Sequence, residues 1–150
     1  MKFKFPLQKV LEHRKVIENI AQKDFQEAQA ISLQHQKTLG SLENQMRHAY
    51  DEAFQIQHSK SGSTSESLKQ IHDVILGQKL RIQRQKAKIQ ESEKLVEACR
   101  EILREKAVDY KIIERLKERR KEDFISQAEK QDQKDMDEIS VIRKVYGDRT

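Results

Sequence analysis

The chain has 150 residues, 35% hydrophobic and 37% charged, with no Trp, four Gly and one Pro. That balance excludes a thick globular core and a turn-rich fold, and it suits long helices that each bury only a narrow apolar stripe. The net charge of +5 is unevenly spread: residues 79–121 carry 15 basic against 8 acidic side chains, and residues 122–139 carry 2 against 7. Such segregation is a polarity along a helix rather than a uniform solvated coat.

The N-terminal Met1-Lys2-Phe3-Lys4-Phe5-Pro6 lacks the apolar region of a secretory signal, and no run approaches the ~18 apolar residues of a membrane span. The expected setting is therefore the cytoplasm. Cys99, the single cysteine, agrees, because it has no internal disulfide partner and reads as a small buried apolar residue. Pro6 suits the first turn of a helix, predicted over about 6–58. Within it Leu7, Val10, Leu11, Ile17, Ala21, Phe25, Ala28, Ile31, Leu39, Leu42, Met46, Ala49, Ala53 and Ile56 recur in steps of three, four and seven. This spacing is helical, and its regularity argues against a disordered chain.

The apolar repeat breaks at Ser59-Lys60-Ser61-Gly62-Ser63-Thr64-Ser65, which is the predicted hinge, 59–65. Ser63 followed by Glu66 reads as a capping box that opens a second helix over about 66–146. From Leu68, a seven-residue step lands on Ile75, Ile82, Ile89, Val96, Leu103, Tyr110, Lys117 and Phe124. Eight of these nine positions are apolar, as a left-handed coiled-coil seam requires. The companion positions Ile71, Gln78, Gln85, Ser92, Cys99, Lys106 and Ile113 are partly polar, which predicts loose packing.

The predicted fold is thus all-α, a single domain over 1–150 made of two long helices in an antiparallel coiled-coil hairpin. If the hinge centres near Gly62, residue i faces residue 124 − i, and Pro6 lies opposite Glu118. The second helix, roughly 80 residues and about 120 Å long, then overhangs the open end by about thirty residues. There Gln131 and Glu138 replace seam apolars, and an unpartnered helix of this kind is marginal in water and suited to a partner.

No reaction chemistry is legible. His13, His35, His48, His58 and His72 form no metal-ligand spacing, the four glycines stand singly rather than in a phosphate loop, and solvated carboxylates have no cleft to tune them. No catalytic, cofactor-binding or metal-binding residue is assigned. The run Lys79, Arg81, Arg84, Lys86 and Lys88 contains no acidic residue and could neutralise phosphates. No aromatic side chain interleaves it for base stacking, which argues against nucleic acid and for a solvated face or an acidic protein partner.

Three segments resemble a known family. Phe5-Pro6-Leu7-Gln8-Lys9-Val10-Leu11 with Arg14 is similar to the opening of the flagellar FliJ export proteins, and Leu103-Arg104-Glu105-Lys106 to a step they carry later. Asp132-Gln133-Lys134-Asp135-Met136-Asp137-Glu138 is similar to their C-terminal signature. The resemblance implies a non-enzymatic, stalk-like component of the flagellar type III export apparatus, held at the cytoplasmic face of the inner membrane through its partners. It implies as partners the hexameric export ATPase, the cytoplasmic part of the export gate, and export chaperones. ATPase-ring contact is expected from Phe3, Phe5, Gln133, Lys134, Met136, Asp137 and Glu138, and gate contact from Ile71, Ile75, Gln78 and Ile82. From the residues alone, a general coiled-coil chaperone or assembly factor and a nucleic-acid-binding coiled coil stay open as alternatives.

Overall fold

A computed structural model describes residues 2–59 and 65–147. It contains two helices, α1 (Gln8–His58) and the longer α2 (Ser65–Gly147), and no strand among the described residues. Hinge positions 60–64, with Gly62 and the capping Ser63, lie outside the described residues. The helix bounds fall within two residues of the expected ones.

The start of α1 follows from Pro6, which sits in the turn just before it. The Gln8 N–H donates to the Phe5 carbonyl at 3.2 Å, and the Leu11 N–H to the Leu7 carbonyl at 3.0 Å. At the far end of α1, the His58 ring stacks on Phe54 with centroids 4.1 Å apart, and its Nδ1 lies 2.9 Å from the Phe54 carbonyl oxygen. That contact folds the last side chain of α1 back over the preceding turn. Glu66 in the first turn of α2 and Lys144 in its last match the helix dipole.

The chain packs as two units, Met1–Asn19 with Glu105–Thr150, and Ile20–Arg104. In the second unit, α1 and α2 run antiparallel: Phe25 packs under Arg100, His35 meets Gln85, and Gln45 meets Gln78. Paired residue numbers therefore total about 124, the predicted register. Small side chains bring the helices close, with Ala21, Ala28, Ser32, Ala49 and Ser92 buried beside Ile75 and Gln85. The polar layers are hydrogen-bonded. Gln85 Nε2 donates to the His35 carbonyl at 2.9 Å, Gln78 Nε2 to Gln45 Oε1 at 2.9 Å, and Ser92 Oγ to the Ile89 carbonyl at 2.8 Å.

In the first unit, Phe5, Leu11 and Ile113 are buried together and flanked by Phe3, Leu7, Tyr110 and Leu116. Arg14 Nη1 donates to the Asp109 carbonyl at 2.7 Å, and Lys15 Nζ sits 4.8 Å from the Tyr110 ring centroid. The same antiparallel register holds here, ending where Phe3 meets Phe124 at 5.7 Å between ring centroids.

Every predicted seam position from Leu68 to Phe124 is buried or half-buried, Lys117 included, and so is every companion from Ile71 to Ile113. Two members of the α1 repeat are corrected. Val10 and Ile31 are 38% and 48% exposed, because each lies one residue off the row that faces α2; Leu11 and Ser32 occupy that row and are buried instead. Among the described residues no side chain is less than 2% exposed, as a two-helix stripe dictates. The four ion pairs seen there all join residues three or four apart on one helix. The helices are thus joined by apolar contact and side-chain hydrogen bonds rather than by salt bridges.

Candidate functional site

Two surfaces stand out. The first is the end of α2 beyond Phe124, where residues 125–147 are exposed without exception. Ile125, Met136, Ile139, Val141, Ile142, Val145 and Tyr146 are between 46% and 68% exposed there. A helix facing water on all sides has no use for large apolar residues, so this row marks an unmet contact. It is shorter than the overhang of about thirty residues expected from the hinge position, because Phe124 still packs on Phe3.

Gln133, Lys134, Met136, Asp137 and Glu138 all lie on this exposed segment. Phe3 and Phe5 do not share its character. Expected as ATPase-ring contacts, they are half-buried and 8% exposed respectively. Phe5 packs with Leu11 and Ile113, and Phe3 covers Phe124. Their apolar rings clamp the two helices, a role the residue types allowed but could not select.

The second surface is a groove of about 810 Å³ between the helices, lined by Tyr50, Ala53, Phe54, Leu68, Ile71 and Ile75 among others. Of the four gate candidates, Ile75 is buried, and Ile71, Gln78 and Ile82 are half-buried, because all are seam positions facing α1. Ile71 and Ile75 line the groove, whereas Gln78 is tied to Gln45. The accessible apolar area nearby belongs to Tyr50 (47% exposed), Phe54 (62%), Val74, Leu76 and Leu80, residues the sequence analysis did not single out. Their signal was present as large side chains off the heptad.

Among the described residues, electrostatics adds one perturbed group. Burial pushes the Tyr110 hydroxyl above its usual value of 10.0, and the charge of Glu114, to which it donates a hydrogen bond at 3.3 Å, raises it further. Among the described residues no group of three His, Cys, Asp or Glu could hold a metal ion, and no helix is long and apolar enough to cross a membrane. Cys99 is half-buried on the seam.

A profile of the flagellar FliJ protein matches residues 3–145. The chain belongs to the FliJ family. It is therefore a coiled-coil component of a type III export apparatus, and the family is non-catalytic. Among solved structures, a protein from Chlamydia trachomatis, CT670, described as a YscO homologue, is similar at 18% identity with a TM-score of 0.43. That match covers 99% of the FliJ-family chain and 100% of the other. No curated protein matches the sequence.

Proposed function

We propose that this FliJ-family chain works as a single coiled-coil domain, a non-enzymatic stalk whose exposed α2 end docks on the hexameric export ATPase. The observation that carries the reading is the fully exposed segment 125–147 with its unpartnered apolar side chains. A helix end that binds the assembled ring better than its separate subunits favours the hexamer by mass action, and so raises turnover without contributing a catalytic group. The groove beside Tyr50 and Phe54 is the proposed contact for the export gate, with Ile71 and Ile75 at its wall. Binding of export chaperones completes the partner set. In this reading the protein is cytoplasmic and reaches the inner membrane only through these partners.

The test is stimulation of the export ATPase by the parent chain, by Met136→Asp and by a chain truncated after Gln131. Loss of stimulation with helicity and melting preserved supports docking through this end. Stimulation equal to that of the parent by both variants refutes it.

A further inference from the structure

We propose a self-association surface in which the exposed end of α2 of one copy docks on the flank of α2 of a second copy. The flank lies beside the seam, where Val74, Arg81, Lys88 and Leu95 recur every seven residues, each one position before a seam residue, with Arg84 between them. All five are exposed. Among the described residues, none of the three cations makes an ion pair: the four salt bridges present involve other residues. The face reads as apolar, then basic, then apolar.

The exposed end carries the complementary pattern. Ile125, Asp132, Ile139 and Tyr146 recur every seven residues, with Ala128, Asp135 and Ile142 interleaved at the other positions of a heptad. All are exposed, and neither aspartate has a basic partner among the described residues. This heptad is displaced by one residue from the hairpin seam that ends at Phe124, so it sits about 100° around the helix from that seam. It reads as apolar, then acidic, then apolar.

The two patterns match in spacing as well as in sign. Arg81 and Arg84 are three residues apart, as are Asp132 and Asp135, so two Arg–Asp pairs form whichever way the helices run. Seven residues before Arg81 lies Val74. It meets Ile125, seven before Asp132, in one direction, or Ile142, seven after Asp135, in the other. Apolar contact at the margin supplies affinity and the central charges select the register, the division of labour used in helix-in-groove and coiled-coil pairing. The acidic side chains of residues 122–139, and all the basic side chains of residues 79–121 except Lys106 and Lys117, are exposed on this one chain, so a second copy carries the required charge complement.

The experiment is sedimentation equilibrium of the full chain over about 10–200 µM at two salt levels, about 50 and 500 mM, which bracket strong and weak screening. Association above the 17.7 kDa monomer is expected at low salt, weakened about tenfold or more at high salt. The variants Arg81→Glu/Arg84→Glu and Asp132→Lys/Asp135→Lys should each be monomeric alone and associate when mixed, because the mixture restores opposite charges. Rescue on mixing also shows that neither variant is misfolded. A 17.7 kDa mass for the parent chain at every concentration overturns the proposal, as does association that neither salt nor either reversal weakens.

Discussion

Ile75 is the large apolar seam side chain of the Ile20–Arg104 unit that is most deeply buried, at 7% exposure, and replacing it with Asp tests the seam. Removing its apolar side chain from the interface forfeits about 2 kcal/mol of transfer free energy. The new carboxylate enters a wall formed by Tyr50, Ala53 and Phe54, in a groove that Lys69 and His72 also line. An unpaired polar group in such a site costs a further ~1–3 kcal/mol, moderated because the groove admits water. A total near 4 kcal/mol is a large fraction of the ~5–15 kcal/mol expected for a folded domain, and corresponds to a drop in melting temperature of about 10 °C for a chain of this size. Burial raises the carboxyl's pKa in the folded state, so the loss is largest at neutral pH and shrinks as pH falls and the group is protonated. The assay is thermal melting by circular dichroism at pH 7 and pH 4, with Ile139→Asp on the exposed end as the comparison. Ile139 is 47% exposed and its change should stay within about 0.5 kcal/mol. Equal melting temperatures for the parent and Ile75→Asp would refute the assigned seam.

Gln78 Oε1 is buried without a hydrogen-bond partner, so Gln78→Leu should raise the melting temperature, by about 1 kcal/mol of stability; a fall would show that its bond to Gln45 matters more. Phe5→Ala removes the ring that closes the Leu11 and Ile113 cluster, and should cost about 3 kcal/mol, read as faster amide exchange along 105–116 with the Ile20–Arg104 unit less affected. Tyr110 holds its proton more tightly folded than unfolded, so its contribution is complete below pH 10 and is lost as pH rises through the raised value. Tyr110→Phe should therefore show a shallower alkaline loss of stability than the parent, and identical alkaline limbs would contradict this.

Much of the hairpin was legible without coordinates because α2 repeats at seven over eight heptads, and only one face of a helix can carry such a period. The break at 59–65 and the equal spacing on either side then implied the register that the Phe25–Arg100 and Gln45–Gln78 contacts display. On α1 the pattern was ambiguous, since Ile31 and Ser32 are adjacent and hydropathy favours Ile. Packing chose Ser32, whose small side chain lets the helices approach beside buried Ala28 and Ser92. The candidate sites divided along the same line. Met136 and its neighbours needed only the absence of a partner segment to be exposed, and that absence follows from unequal helix lengths. Ile71, Ile75, Gln78 and Ile82 could not be seam and open surface at once, a conflict that one-dimensional spacing does not expose. Phe3 and Phe5 likewise had two uses open to an aromatic ring, contact with a partner or closure of the hairpin. Periodicity, charge and length thus determined the helices, their antiparallel pairing and the free end of α2. Which rings were turned inward, and which groove remained open beside Phe54, depended on the shapes meeting across the interface, which exist only once the two helices are packed.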